Sequence, residues 1–268
     1  KDEIENPSAA AKMMIEDMLK AQGYSSIESS KASALPDYYD PMLVNTDIDL
    51  EALADGIASA KSARICLYGA PGTGKSAYGR WLSEYLDKPL ILKKGSDLLS
   101  KWVGGTEKNI KTAFEEALDE GGILLFDEVD SFLADRKSAQ RNWEVTQVNE
   151  LLTQMESFGG IFLATTNLME NLDEASLRRF DAKVEFGYLR QKQALTLYLS
   201  CLKELGLKAS MVVKTEIKKL SHLTPGDFAA AMRRDRFHKI KTANEFVARL
   251  QDEVAVKKVS KEPKMGFL

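Results

Sequence analysis

The sequence predicts an α/β fold in which a parallel β-sheet carries helices on both faces and is followed by a small all-helical domain. Between residues 64 and 186, short apolar runs alternate with helical patterns, which is typical of parallel strands joined by crossover helices. A glycine-rich segment with the spacing G-x-x-x-x-G-K-S follows the first apolar run. After residue 190 the apolar residues recur only at helical spacing, which indicates that the sheet has ended.

The elements of the α/β part are predicted from the spacing of apolar residues. Mostly apolar runs are typical of strands buried in a parallel sheet, and a run that alternates with charged residues indicates a strand with one exposed face. Strands are therefore expected at residues 64–68, 89–93, 123–126, 161–165 and, with alternation, 182–186. Helices are expected where apolar residues recur every three or four positions, at 49–60, 77–86, 107–118 and about 145–155.

The remaining segments set the expected domain limits. A helix is predicted at residues 7–21, and a linker rich in Ser and Lys extends to residue 34. Later helices are predicted from residue 190, at 215–220, 225–240 and 243–256. We therefore expect an N-terminal helix and linker over 1–34, an α/β domain over 35–187, a helical domain over 188–256 and a tail over 257–268.

The glycine-rich segment has the spacing of a phosphate-binding loop. Its glycines let the backbone curl so that N–H groups face a polyphosphate, and the following helix adds the positive end of its dipole. Lys75 is expected to reach the β- and γ-phosphates, and the Ser76 hydroxyl to bind Mg²⁺. A chance match in an ordinary turn is the alternative, but it explains neither the strand before the loop nor the helix after it. The expected binding residues are Gly69, Ala70, Pro71, Gly72, Thr73, Gly74, Lys75, Ser76 and Ala77.

Two acidic residues follow the apolar run 123–126. Ligands of open α/β sheets bind outside the carboxyl ends of the strands, where these side chains are expected to lie. Asp127 is expected to hold Mg²⁺ beside Ser76, and Glu128 to polarise an attacking water as a general base. A solvated acidic turn would be the better interpretation of the pair alone, but the phosphate loop favours the functional one. For Asp130, a simple helix cap is left open.

Composition and charge narrow the classes of protein that this chain can represent. The net charge of −3 argues against a nucleic-acid partner, because duplex binders usually carry a basic excess. Only two cysteines occur, Cys66 and Cys201, both within apolar patterns, so we expect no disulfide or metal framework and a reduced, cytoplasmic compartment. No apolar run approaches the roughly 18 to 20 residues of a membrane span, so no membrane partner is expected.

Three further motifs lie between and after the predicted strands. Lys101-Trp102-Val103-Gly104 places an aromatic residue before a helix, where a hydrophobic staple is an equally good interpretation. Asn167 closely follows the run 161–165, a position where it otherwise caps a helix. Arg178 and Arg179 are adjacent, and their plain interpretation is a solvated basic face.

These motifs, taken in order, resemble those of the AAA family of AAA+ ATPases over residues 35 to 256. Residues 69–76 resemble the Walker A loop and residues 123–130 the Walker B strand. Residues 101–104 resemble the first pore loop, Asn167 resembles sensor 1, and residues 178–181 resemble the end of the second region of homology. Residues 224–227 resemble the motif that lies beside adenine in the helical lid. The set is far more specific than a Walker A loop alone.

The resemblance implies a P-loop NTPase fold with ATP and Mg²⁺ as cofactors. It implies that Asn167 orients the attacking water with Glu128, and that Arg178 and Arg179 enter the neighbouring subunit's site as arginine fingers. Activity would then require a homo-oligomer, a hexameric ring, acting on a protein substrate that is gripped by the pore-loop residues. The implied contacts to adenine are Asp47, Ile48 and Gly226, and the implied pore-loop residues are Lys101, Trp102 and Val103.

The chain also departs from the family pattern. The two arginines are adjacent, whereas the family has Arg-x-Gly-Arg-Phe-Asp, so Arg179 matches the second finger and the role of Arg178 is open. No clear sensor 2 arginine is found, and Arg233 and Arg234 are candidates only through their proximity to Gly226.

An AAA+ ATPase of the clamp-loader or initiator type, which acts on nucleic-acid complexes, is kept as the alternative function. The joint presence of Glu128, Asn167 and Arg179 argues against a third function, a scaffold that binds ATP without hydrolysis.

Overall fold

The computed structural model describes residues 39–100, 104–131, 142–172 and 174–259. Its described part contains a six-stranded sheet with the spatial order β1-β6-β2-β5-β4-β3. The short strand β1 pairs antiparallel with β6, and the other neighbours pair in parallel. The strands are β1 Asn45–Thr46, β2 Ala63–Gly69, β3 Leu90–Lys94, β4 Ile123–Asp127, β5 Ile161–Thr166 and β6 Ala182–Gly187.

Helices alternate with the strands and then continue alone. Those of the α/β part are α1 Leu50–Ala60, α2 Lys75–Tyr85, α3 Gly95–Leu98, α4 Gly105–Asp119, α5 Asn142–Ser157 and α6 Glu174–Leu177. Those of the helical part are α7 Gln191–Glu204, α8 Met211–Lys219, α9 Pro225–Arg234 and α10 Ala243–Val259. None of the helices in the described ranges combines the length and apolar composition that a bilayer crossing requires.

The sheet is buried on both faces because alternate residues of its central strands point in opposite directions. In β4, Leu124 and Phe126 pack into an apolar cluster with α4 and α5, whereas Ile123 and Leu125 pack into another with α1 and α2. This double burial explains the continuous apolar run in β4 and confirms the predicted parallel sheet with helices on both faces. The strand β6 has one exposed face, so it shows the alternation that the sequence predicts.

The helical part has an apolar cluster of its own. Tyr198, Phe228 and Phe246 are fully buried in it and bring α7, α9 and α10 together. The expected all-helical region after the sheet is thus observed. The exact domain limits, including the segment over residues 1–34, stay predictions because residues 1–38 lie outside the described residues.

The structure differs from the predicted elements in several places, and the short helices α3 and α6 were not predicted. The helix predicted over 215–220 runs over Met211–Lys219. The strand β1 was not predicted, because two residues carry no periodicity. The helix predicted over 225–240 ends at Arg234, where the Asp235 carboxylate accepts hydrogen bonds from Ile240 N and Lys239 Nζ and folds the chain back. The last helix continues to Val259, so Lys257, which was assigned to the tail, belongs to α10 and contacts the helical part.

Candidate active site

A cavity of about 300 Å³ lies between the α/β part and the helical part. One wall is the phosphate loop with the start of α2, and a second is formed by the carboxyl ends of β4 and β5. The segment 39–44 and residues of α7 and α9 complete it. The lining residues are Tyr39, Asp40, Leu43, Val44, Pro71, Gly72, Gly74, Lys75, Ser76, Ala77, Asp127, Glu128, Thr165, Asn167, Leu197, Pro225, Gly226 and Ala229.

The phosphate loop adopts backbone angles that residues with a side chain seldom adopt. Gly69, Gly72 and Gly74 have φ of 135°, 77° and 107°, in the region that favours glycine. A Cβ on Gly69 would lie 2.1 Å from the carbonyl oxygen of Phe186 in the neighbouring strand. The Thr73 hydroxyl donates to Ala70 O at 2.8 Å and closes the turn. The predicted loop therefore forms between β2 and α2, and its conformation explains the positions of its glycines.

Lys75 is held inside this loop. Its Nζ donates to Gly69 O at 2.7 Å, to Ala70 O at 3.0 Å and to the side-chain oxygen of Asn167 at 2.8 Å. Burial lowers the pKa of Lys75 to about 8, although the nearby carboxylates, that of Asp127 foremost, oppose this effect. A phosphate group bound here would give the partly desolvated ammonium an anionic partner, so the loop fits a polyphosphate.

The oxygen atoms of Ser76 and Asp127 converge at the base of the cavity. The Ser76 hydroxyl donates to Asp127 Oδ1 at 2.7 Å, although 51 residues separate them in the sequence. A hydroxyl and a carboxylate are ligands suited to Mg²⁺, which keeps several waters and takes further oxygens from phosphates. This pair therefore fits a Mg²⁺ ion that takes its other ligands from water and nucleotide phosphates. Within the described ranges no group of three or more His, Cys, Asp or Glu side chains is placed to hold a metal.

Thr165, which the sequence analysis missed, connects the two acidic residues. Its hydroxyl donates to Asp127 Oδ1 at 2.5 Å and accepts from the Glu128 backbone N–H at 3.1 Å. Glu128 has a φ of 62°, in the left-handed region that side chains seldom adopt. Such strain is typical of functional sites and persists where surrounding contacts impose it. The sequence signal for Thr165 was only that a polar residue stands near the carboxyl end of an apolar run, the strand β5.

Asp130, like Asp127, is held by a threonine hydroxyl of β5. It lies in a 3-10 turn over Val129–Ser131, and its carboxylate accepts a hydrogen bond from the Thr166 hydroxyl. Thr166 in turn accepts from Leu168 N at 3.0 Å. This chain of bonds ties the acidic end of β4 to the segment that carries Asn167. Asp130 therefore has a partner in β5, beyond the capping role that the sequence left open.

The phosphate loop touches the helical part through two glycines. Gly226 N donates to Gly72 O at 2.8 Å, directly across the cavity's edge. Two hydrogen bonds stabilise the start of α9. The buried Asp227 carboxylate accepts from Thr224 N at 2.8 Å and from Lys257 Nζ at 2.6 Å. The residues that resemble the lid motif thus contact the loop that resembles Walker A.

Replacement of Gly226 by Ala is expected to destabilise the protein by roughly 1–3 kcal/mol, as overpacked sites do. The added methyl would lie 2.8 Å from Gly72 Cα and 3.0 Å from Gly72 O, so the two backbones would have to separate. Urea denaturation measures this change. The control is Gly56→Ala, since Gly56 is exposed in α1 with nothing within 4 Å of an added Cβ, and we expect it to stabilise by about 0.5–1 kcal/mol. Equal stability of the two variants would contradict the close contact.

The candidate arginine fingers do not line the chain's own cavity. Arg179 pairs with the carboxylate of Glu156 and donates to Ala175 O at 2.9 Å, and Arg178 is exposed. The next residue, Phe180, is buried in the apolar cluster between the sheet and α4 and α5, and it anchors their loop. Arg233 and Arg234, the sensor 2 candidates, are also exposed and outside the cavity's lining.

Asp181 anchors the same loop to the sheet. Its carboxylate accepts from the Arg64 backbone N–H at 2.8 Å and from the Arg64 guanidinium at 2.9 Å, at the start of β2. The Arg64 guanidinium lowers the pKa of this carboxyl. The arginine loop is thereby attached to the strand that leads into the phosphate loop.

The two predicted upstream contacts to adenine lie elsewhere. Asp47 accepts a hydrogen bond from Glu185 N at 2.8 Å and so secures the edge of the sheet near β1. Ile48 lines a separate, more polar groove. The upstream segment that reaches the cavity is instead residues 39–44, whose aromatic and apolar side chains the sequence analysis did not assign to the site. The predicted pore-loop residues 101–103 lie outside the described residues.

Comparison with known proteins identifies the family of the α/β part. Residues 65–188 match the family model described as "ATPase family associated with various cellular activities (AAA)". This span runs from β2 to just beyond β6 and includes the phosphate loop, the acidic pair, Asn167 and the adjacent arginines.

Several curated relatives match part of this chain. Vacuolar protein sorting-associated protein 4 of Dictyostelium discoideum is 33% identical over 168 residues, which is 60% of this chain and 37% of the relative. The ATP-dependent zinc metalloprotease FtsH of Lachnoclostridium phytofermentans is 34% identical over 147 residues, 50% of this chain and 26% of the relative. A putative 26S proteasome regulatory subunit homolog of Methanothermobacter thermautotrophicus is 29% identical over 212 residues, 76% of this chain and 57% of the relative.

The chain spans less than two thirds of the length of each of these relatives. The family match and the relatives together support an AAA-type ATPase domain over residues 65–188 of this chain.

Proposed function

We propose that this protein hydrolyses ATP in a Mg²⁺-dependent reaction, works as a homo-oligomeric ring, and uses the turnover to remodel protein substrates. The observation that carries the proposal is the convergence of five side chains from three strand ends on one cavity: Lys75, Ser76, Asp127, Glu128 and Asn167. They supply the phosphate, metal and water contacts that phosphoryl transfer to water requires.

Each residue has a distinct part in the proposed reaction. Lys75 and the loop N–H groups would hold the phosphates, and Ser76 with Asp127 would hold Mg²⁺, which supplies charge neutralisation on the β- and γ-phosphates. Glu128 would accept the proton of the attacking water. The Asn167 oxygen accepts from Lys75, so its amide N–H groups are the donors it offers to the water or the γ-phosphate.

Two observations support the proposal that the site is shared between subunits. Arg178 and Arg179 lie outside the chain's own cavity, yet buried contacts of Phe180 and the Asp181–Arg64 pair hold their loop in place. A rigidly presented arginine that does not serve its own site is suited to stabilising charge in a neighbour's site.

The protein substrate is proposed from the relatives. Their names concern vacuolar protein sorting, a metalloprotease and a proteasome regulatory subunit, all of which involve proteins. The net charge of −3 offers no support for the alternative with a nucleic-acid substrate.

Lys75→Ala is expected to weaken ATP binding about 10- to 100-fold, because one or two charge-assisted hydrogen bonds to phosphate are lost. Isothermal titration of ATP in the presence of Mg²⁺ measures the change. Lys88→Ala is the matched control, since Lys88 lies beyond the far end of α2 and donates to Gly121 O at 2.8 Å. If Lys75→Ala and Lys88→Ala bound ATP equally well, the phosphate-loop assignment would be wrong.

Trp102→Ala is expected to preserve basal ATP hydrolysis and to abolish work on a protein substrate. The reason is that the resemblance assigns Trp102 to substrate grip rather than to the ATP site. Unfolding of a tagged fluorescent protein, measured beside the rate of phosphate release, separates the two activities. Unchanged unfolding by the variant would remove the pore-loop role.

A further inference from the structure

Tyr39 lies where the described chain first enters the cavity. Its ring edge is 3.6 Å from the position that a Cβ on Gly74 would occupy, so the ring packs beside the phosphate loop. The lining also includes Leu43, Val44 and Leu197, which supply an apolar stretch of the wall. Such a stretch suits the base of a nucleotide, whose flat faces are largely apolar.

The Tyr39 hydroxyl is shielded from solvent, yet it has no hydrogen-bond partner in the described part of the chain. Three other tyrosines have hydrogen-bond partners: Tyr78 donates to Leu50 O at 3.1 Å, Tyr85 to Asp55 Oδ1 at 2.6 Å and Tyr198 to Ala243 O at 2.9 Å. A buried polar group without a partner destabilises a protein, so it calls for a functional explanation.

The chemistry of this hydroxyl makes it a donor. Burial, with smaller contributions from Tyr78 and Asp40, raises the pKa of Tyr39 well above its usual range. The group therefore keeps its proton at neutral pH and seeks an acceptor. No such acceptor is supplied by the apolar side chains around it.

We propose that the Tyr39 hydroxyl donates a hydrogen bond to an acceptor on the nucleoside part of the bound nucleotide, and that Tyr39 thereby helps to determine nucleotide specificity. The proposal rests on the proposed ATP-binding function. It adds a recognition residue upstream of the phosphate loop, in a segment that lines the same cavity.

The test uses Tyr39→Phe, which removes the hydroxyl and keeps the ring. Binding of ATP, 2′-deoxyATP and inorganic tripolyphosphate is measured by titration for the variant and the wild type. We expect ATP to bind about two- to tenfold more weakly to the variant, the value of one neutral hydrogen bond, and tripolyphosphate to bind equally to both. If the loss is absent for 2′-deoxyATP, the acceptor is the ribose 2′-hydroxyl, and if it persists the acceptor lies elsewhere on the nucleoside.

Thermal denaturation without nucleotide provides a second measurement. Tyr39→Phe is expected to keep or raise the melting temperature, because no bond of the free protein is lost. The control is Tyr198→Phe, which loses its bond to Ala243 O, and we expect it to lower the melting temperature while the ratio of ATP to tripolyphosphate affinity stays unchanged.

Three results would overturn the proposal: equal ATP affinity of the wild type and Tyr39→Phe, an equal loss for tripolyphosphate, or a melting temperature lowered as much as in Tyr198→Phe. The last would mean that the hydroxyl already has a partner in the free protein. Failure of the wild type to bind ATP would instead refute the proposed function itself, so the two failures are distinguishable.

Discussion

Arg179→Ala is expected to lower the rate of ATP hydrolysis by about 10³- to 10⁵-fold, the usual contribution of an arginine finger, and to leave ATP affinity nearly unchanged. The physical reason is that a finger neutralises charge that develops on the transferred phosphoryl group. Arg179 is presented for such a role by Phe180, which is buried, and by Asp181, which is tied to β2. Steady-state phosphate release and ATP titration measure the two quantities.

Mixing two inactive variants tests whether the site is shared. A subunit with Arg179→Ala keeps Glu128, and a subunit with Glu128→Gln keeps Arg179. If sites form between subunits, a mixture of the two proteins contains some complete sites and regains part of the wild-type rate. If each chain completes its own site, the mixture stays inactive and the shared-site proposal fails.

The ion pair between Arg179 and Glu156 provides a control variant, Glu156→Gln, for Arg179→Ala. This ion pair is partly exposed, with 32% and 53% of the two side chains accessible, so its contribution to stability is about 0–1 kcal/mol. Glu156→Gln is therefore expected to fold and to hydrolyse ATP at nearly the wild-type rate. A loss as large as that of Arg179→Ala would show that the arginine acts through Glu156 rather than on a nucleotide.

Glu128→Gln is expected to lower the hydrolysis rate about 10²- to 10⁴-fold, the contribution of a general base, while ATP still binds. An amide has nearly the shape of a carboxylate but cannot accept the proton of the attacking water. The unusual backbone of Glu128, supported by the hydroxyl of Thr165, should persist in the variant because the bond is made by the backbone N–H.

The control for this variant is Glu120→Gln. Glu120 is exposed and precedes β4, whereas Glu128 follows it, so the two acidic residues flank opposite ends of the same strand. Glu120→Gln should hydrolyse ATP as fast as the wild type. The solution mass of Glu128→Gln with ATP and with ADP then reports whether trapped ATP promotes a ring, and full activity of this variant would refute the base assignment.

Much of the fold and of the site follows from local pattern. The apolar runs and the helical spacing correctly predict five strands and both helical layers of the α/β part. The contact between Ser76 and Asp127 follows as well, because the carboxyl ends of the parallel strands β2 and β4 lie at the same edge of the sheet, with β5 between them. Glycine-rich spacing also identifies the phosphate loop, since few side chains tolerate its backbone.

Other features depend on residues that approach from distant parts of the chain. Thr165 ends an apolar run in a way that suits any strand, so its bonds to the acidic pair carry no local signal. Lys257 lies in a basic, tail-like segment and becomes structural only because α10 brings it to the buried Asp227. The fit of Gly226 against Gly72 likewise depends on how the helical part packs.

The resemblance to the AAA family, the sheet and the turn of the phosphate loop could thus be predicted from residue types at fixed spacing, because backbone geometry and strand ends obey local rules. The wall of the cavity could not, and Tyr39 shows why. Its upstream segment has no strong periodicity, and its hydroxyl is significant only because packing buries it without a partner beside Gly74. Burial and pairing are properties of the packed chain, since they depend on neighbours that sequence order does not specify.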